Sequence, residues 1–337
     1  MKSTTWRADP RQIADPFDEH APLALSRGFE LLGAAFEFRC DSAELLDLVD
    51  LAYRDLPAHV LGGQALQVEL RLAEGGAGFN GEPPVACMFG GAGLVGAAMN
   101  AHNLAIVSPA TGGAVVHLSP ALLRYPYYAR YELIEFAAFM LASRTQGLVP
   151  LHAGCVGLDG AGALLIGESG AGKSTLALHA MLQGLDFLTE DASFVEPQRM
   201  LATGVANFLH LRFDALAWVD DVGLRERIQA SPVIRRRSGV EKHELDLRTG
   251  WARLAAAPLQ LRHVVFASPE AAGSGELLSP LDAEETLQRL HVTQAYAAGQ
   301  PGWAGFVEGC VRLHGWVLKR GAHPRDGAVA LRELLMR

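Results

Sequence analysis

The chain has 337 residues, half of them hydrophobic and a fifth charged, with a formal net charge of -8. That length suits two domains with cores of their own, and the composition excludes a disordered polymer. The acidic balance argues against a protein that coats nucleic acid or an anionic membrane, so neither is expected as a partner. The four cysteines, Cys40, Cys87, Cys155 and Cys310, are far apart and form no CxxC pair. Neither a disulfide framework nor a structural zinc site is suggested, and a reducing cytoplasm fits best. Met1 to Pro16 has charges and prolines without an apolar core, and no apolar run reaches the roughly 20 residues that span a bilayer.

In chain order, the later half of Phe29–Arg39 alternates as a strand does. A helix is expected from Ser42 to Arg54 with Asp41 or Ser42 as cap. Val- and Leu-rich stretches at 65–72, 84–89, 104–108 and 113–118, parted by Gly, Asn and Pro turns, predict a small antiparallel sheet. Tyr128 to Thr145 reads as a helix, with Tyr131, Ile134, Phe136, Phe139 and Leu141 on one broad apolar face, ending near Gly147. The domain boundary is expected there: 1–146 as a smaller N-terminal α+β unit and 147–337 as the larger, chemical one.

Beyond it, Val149–Leu158 and Gly162–Ile166 predict two strands joined at Asp159-Gly160. The second runs into a glycine-rich loop that opens a helix from Lys173 to Gln183, with Gly184 as its C-cap. Leu261–Ser268 reads as a strand, Ala283–Leu290 as a helix and Trp303–Lys319 as a C-terminal helix.

The chemistry starts at Gly167-Glu168-Ser169-Gly170-Ala171-Gly172-Lys173-Ser174-Thr175, which fills every position of a phosphate-binding loop. Its glycines let successive backbone N–H groups face an anion, and the helix N-terminus adds its dipole. Lys173 reaches the outer phosphates and Ser174 can ligate magnesium. Lys173 is one of only four lysines, so its landing on this one position by chance is improbable. Thr189-Glu190-Asp191 places an acidic pair at a strand end, with Asp191 eighteen residues after Lys173. Such a pair either holds a metal and takes a proton from an attacking hydroxyl, or is a solvated turn. His152, on the strand before the loop, is either functional or a satisfied strand residue. Lys242 and the triplet Arg235-Arg236-Arg237 can neutralise transferring phosphoryl charge or form an exposed basic turn. Arg212, on an expected strand, can face phosphates.

Together His152-Ala153, the glycine-rich loop and the acidic pair resemble the catalytic domain of the HPr kinase/phosphorylase family over residues 148–196. The resemblance implies an α/β P-loop kinase domain of the type shared with phosphoenolpyruvate carboxykinase. It makes Lys173 the phosphate-binding lysine, Ser174, Glu190 and Asp191 magnesium-side residues, Asp191 the proton acceptor and His152 an active-site residue. Departures are plain: Thr175 stands where the family has glutamate, a further magnesium-binding glutamate has no clear counterpart, and the Pro-Gly-Arg-Asn segment tied to phosphorylase activity is absent. A one-way kinase is therefore expected. The surroundings resemble the HPr-kinase-related enzymes of peptide-modifying gene clusters, including lasso-peptide kinases that act on a precursor's C-terminal serine. Their Lys-x3-Asp segment corresponds to Lys242-His-Glu-Leu-Asp246, which makes Lys242 catalytic.

The expected protein is a serine kinase that uses ATP or another nucleoside phosphoryl donor with Mg²⁺ and acts on a peptide or small protein. A kinase for a free-serine-type small molecule, or a nucleotide-dependent chaperone or regulatory module without phosphoryl transfer, are the alternatives. Relatives form oligomers, so a homo-oligomer is compatible with the resemblance.

Overall fold

The computed structural model describes residues 23–337 apart from 74, 76, 77 and 169. Met1 to Pro16 and Ser169 thus lie outside the described residues. The chain opens with β1 (Leu25–Leu31) and β2 (Ala34–Cys40), a hairpin where a single strand was expected. Leu32 and Gly33 both have positive φ, 51° and 89°. Paired left-handed residues make the tight turn that matches strand twist. α1 (Ala43–Tyr53) follows, with the Ser42 side chain accepting from the Leu45 N–H at 3.2 Å. Then come β3 (Leu66–Leu72), β4 (Cys87–Gly91), β5 (Leu94–Asn100), β6 (Asn103–Ser108) and β7 (Gly113–Leu118).

These seven strands form one sheet in the order β1-β2-β3-β7-β6-β5-β4. It is mixed, not antiparallel as expected, because β2–β3 and β3–β7 pair in parallel. α1 supplies the crossover that a parallel β2–β3 pair requires. Phe36, Phe38, Val68, Leu70 and Val116 alternate inward from these strands and share a core with α1. The helical run starts earlier than expected, through α2 (Pro120–Leu123) and α3 (Pro126–Ala129). A π-helical turn at Arg130–Ile134 leads into α4 (Glu135–Gln146), and Gly147 caps it at φ 65°.

The expected strand 149–158 is broken into β8 (Val149–Leu151) and β9 (Gly154–Leu158), leaving His152 at the break rather than on a strand. β8 pairs with a different partner from β9. Instead of a ladder bond, the buried Gln294 side chain receives the His152 N–H at 2.8 Å and donates to its carbonyl at 3.2 Å. β10 (Ala161–Ile166) follows the Asp159-Gly160 turn, then α5 (Lys173–Leu182), β11 (Asp186–Thr189), β12 (Ser193–Glu196), β13 (Leu201–Thr203) and β14 (Phe208–Leu211). A 3₁₀ turn (Phe213–Trp218), α6 (Val222–Ala230), β15 (Val233–Arg235), β16 (Glu241–Asp246) and β17 (Leu259–Ala271) come next. The chain closes with β18 (Leu278–Leu281), α7 (Ala283–Thr293), α8 (Ala295–Ala298), α9 (Trp303–Cys310), β19 (His314–Arg320) and α10 (Pro324–Leu335).

Trp303–Lys319 is therefore not one helix. Its second half is β19, drawn into the sheet by parallel pairing with β17, and α10 supplies the terminal helix. The larger sheet runs β11-β9-β10-β17 and continues through β19 on the far side of β17. β10 is buried on both faces. Leu164 and Ile166 meet Leu290, Trp303 and Phe306 from one side, and Ala163 and Leu165 meet α5 and α10 from the other. A strand covered on both faces has no polar side to expose, which explains its continuous apolar sequence. A small third sheet, β14-β16-β15, packs on the opposite flank of α5.

Candidate functional site

The glycine-rich loop lies between β10 and α5. Gly170 and Gly172 have φ of 89° and 90°, the left-handed region in which a side chain is strained. The first N–H groups of α5 have no intrahelical partner and face the loop. Lys173 Nζ donates to the carbonyls of Gly167 at 2.7 Å and Glu168 at 3.3 Å. Burial pushes its pKa down, with Lys242 adding to the effect and Asp191 and Glu190 opposing it. A cavity of about 520 Å³ opens over the loop, lined there by Gly170, Ala171, Gly172, Lys173, Ser174 and Thr175. Gly167 and Glu168 form the loop's base behind this lining.

The cavity also reaches His152, Asp191, Arg212 and Lys242. β11 is antiparallel to β9, and β9 to β10, so β11 ends on the same side of the sheet as β10 does. Glu190 and Asp191, just past β11, are thereby carried to the phosphate loop's edge. The chain passes close here: a Cβ on Gly154 would lie 2.7 Å from the Glu190 carbonyl, so only glycine fits. His152 Nδ1 stands 3.7 Å from Asp191 Oδ1, and Arg236 approaches Asp191 Oδ2 at 3.6 Å.

Glu190 is a buried hub. Its Oε1 accepts from Ser174 Oγ at 2.5 Å and lies 4.0 Å from Lys242 Nζ. Its Oε2 accepts from the His210 backbone N–H at 2.9 Å and meets His210 Nδ1 at 2.8 Å. Burial alone would raise this carboxyl's pKa, but His210, Lys242 and Ser174 together hold it well below the usual range. His210 Nε2 faces Glu244 Oε1 at 3.2 Å, so its two nitrogens look at two carboxylates. Burial opposes the charged ring; Glu190 and Glu244 prevail and raise its pKa. Glu244 in turn bonds Arg130, whose Nε is 3.4 Å from Glu135. One chain of buried groups thus runs from Ser174 to the π-helical turn.

The arginine triplet separates. Arg235 pairs with Glu82 at 3.4 Å. Arg237 grips Glu132 at 2.6 Å and the carbonyls of Pro83 and Pro84. Arg236 alone turns into the site, its guanidinium 5.1 Å from the centre of the Tyr131 ring. Lys242 sits on β16 rather than in a basic turn. Arg212 falls just beyond β14 and is exposed, 3.5 Å from Asp214.

Sequence reasoning missed His210, Gln294, Trp218 and His323. His210 is flanked by leucines in an apolar strand, with no local signal of a partner. Trp218 and His323 are more than 100 residues apart, yet meet edge to face at 5.3 Å on the cavity's wall.

No family model matches the chain, and no curated protein does. Among solved structures it is similar to the HPr(Ser) kinase/phosphatase from Coxiella burnetii. The identity is 12% and the TM-score 0.25, over 56% of this chain and 96% of that one. A TM-score that low leaves function to the site's own residues. No helix among the described residues is long and apolar enough to cross a membrane.

Proposed function

We propose that the protein is a nucleotide- and magnesium-dependent kinase that phosphorylates a serine hydroxyl on a peptide or small protein. The observation that carries this is one cavity with two kinds of group at the same sheet edge. The glycine-rich loop with Lys173 can hold transferable phosphate, and Asp191, His152 and Arg236 stand beside it. A switch needs the first set only.

In this reading Asp191 orients the acceptor hydroxyl and takes its proton, with His152 beside it. Arg236 and Lys242 neutralise charge as the phosphoryl group moves in line, while Lys173 and the loop N–H groups hold the donor. The oxygens of Ser174, Glu190 and Asp191 suit a hard cation. Among the described residues no cluster of three or more His, Cys, Asp or Glu forms a ready-made metal cage. Mg²⁺ keeps waters and takes one or two carboxylates beside substrate phosphates, so these few oxygens can be enough. Bound there, it would neutralise the phosphate oxygens.

The His152 side chain is 62% exposed and that of Asp191 33%, which leaves the acceptor end open to a serine carried on a peptide. We assign the N-terminal unit, 1–146, the task of holding the peptide; its Tyr131 ring lies 5.1 Å from the Arg236 guanidinium that enters the site.

The test is incubation with γ-labelled ATP, Mg²⁺ and serine-bearing peptides, for the wild type and Asp191→Asn. Label on peptide serine is expected, lost in Asp191→Asn with nucleotide binding intact. Label appearing only on a small hydroxyl compound, or full biological function in Asp191→Asn, refutes the reading.

A further inference from the structure

The loop occupies the middle of the sheet edge. On one side, two strands away through β9, β11 delivers Asp191; on the other, two strands away through β17, β19 ends at Arg320 and leads to His323. β17 and β19 are parallel to β10, so their carboxyl ends face the same cavity. Neighbouring strands are spaced about 4.8 Å, which places each flank on the order of 10 Å from the loop. That is the reach from a nucleotide's terminal phosphates toward its base.

The β19 flank is built as an aromatic wall. His323 is the N-cap of α10, and its Nδ1 accepts from the Arg325 N–H at 3.0 Å, which fixes the ring plane. The Trp218 ring meets it at 5.3 Å and 86°, and the buried His179 of α5 backs it at 5.1 Å and 88°. An ion pair between Arg325 and Asp220 ties the chain beyond Trp218 to the start of α10. Trp218 keeps 37% of its surface exposed while lining the cavity. A large ring held in place with an open face is what a flat heteroaromatic group stacks on.

We propose that Trp218 and His323 form the base-binding end of the donor site, so that the phosphoryl donor is a nucleoside triphosphate and not an inorganic polyphosphate. This rests on the kinase reading above and divides the cavity into base, phosphate and acceptor ends, in the strand order β19, β10, β11. Arg212 and Asp214, which line the cavity at the start of the 3₁₀ turn, then face the sugar and its hydroxyls.

Calorimetric titration with ATP and with inorganic tripolyphosphate, both with Mg²⁺, tests the assignment. The variants are Trp218→Ala, Trp218→Phe and His323→Asn; asparagine keeps a capping side chain and removes the ring. The wild type should bind ATP at least about tenfold more tightly than tripolyphosphate. Trp218→Ala and His323→Asn should erase most of that difference without moving the tripolyphosphate Kd, and Trp218→Phe should retain it. Equal wild-type affinities, or variants that weaken both ligands alike, overturn the base site and leave the kinase reading standing. Binding of neither ligand overturns both.

Discussion

Replacing Arg130 by methionine removes the cation at the far end of the chain of buried groups that begins at Ser174. Arg130 is 1% exposed, bonds Glu244 and lies 3.4 Å from Glu135. At that separation and an effective dielectric of about 20, the attraction to Glu135 alone is about 5 kcal/mol before desolvation is charged against it. Breaking a buried pair by removing one partner costs about 3–5 kcal/mol, because a carboxylate is left uncompensated. For a chain of 337 residues, with an unfolding entropy of about 0.7 kcal/mol/K, that is a fall in Tm of roughly 4–7 °C. Burial already raises the Glu135 pKa, with Arg130 opposing it; without the arginine, both carboxylates protonate more readily. The deficit should therefore shrink as pH falls from 8 to 5, read as urea midpoints at each pH. Arg130 has two buried N–H atoms, Nε and Nη1, without a hydrogen-bond partner. The triple change Arg130→Met, Glu135→Gln, Glu244→Gln should thus recover most of the loss, since an apolar or neutral replacement of a whole buried set is often near neutral. A single-variant cost below about 1 kcal/mol, or one equal at pH 5 and pH 8, would refute the claim that Arg130 compensates these carboxylates.

His210 gives a pH signature of opposite sense. Its folded-state pKa is raised, so its contribution to stability is fully present below the unfolded value of about 6.5 and is lost as pH rises through the folded value. The wild-type urea midpoint should fall across that upper range, and His210→Gln should lack that component; identical slopes in the two proteins would exclude it. Arg236→Met should lower kcat for peptide phosphorylation by about 10²–10³ while leaving the nucleotide Kd within about threefold, because the side chain faces Asp191 rather than the loop. An equal loss in Kd and kcat would place Arg236 in donor binding instead.

Features whose cause is local were legible in the sequence. The Ser42 cap bonds three residues along its own helix, Asp159-Gly160 turns on its own backbone with φ of 50° and 83°, and the glycine-rich loop is complete within nine residues. Errors arose where pairing across the chain decided the outcome. The segment 313–320 has the spacing of a helix as much as of a strand, and became β19 because β17 offers it a parallel partner. The π-helical turn at Arg130–Ile134 interrupts an otherwise regular helical pattern, and it places Arg130 and Tyr131 where one meets Glu244 and the other Arg236. Nothing in a helical period announces that insertion.

The same distinction separates the two acidic residues at the site. Adjacent in sequence and equal in charge, Glu190 and Asp191 look interchangeable as metal or proton ligands. Both Glu190 oxygens are committed, to Ser174 on one side and to His210 on the other, and its carboxyl is held ionised. A group so held cannot serve as a proton acceptor near neutral pH; it can fix the Ser174 hydroxyl and lend charge to a bound cation. Asp191 is a third exposed and is approached by His152 and Arg236 only at 3.7 and 3.6 Å. It alone of the pair retains open coordination toward an incoming hydroxyl. The division of labour therefore follows from burial and from partners on α5 and β14, and it makes Glu190→Gln a change that disturbs Ser174 and donor binding where Asp191→Asn does not.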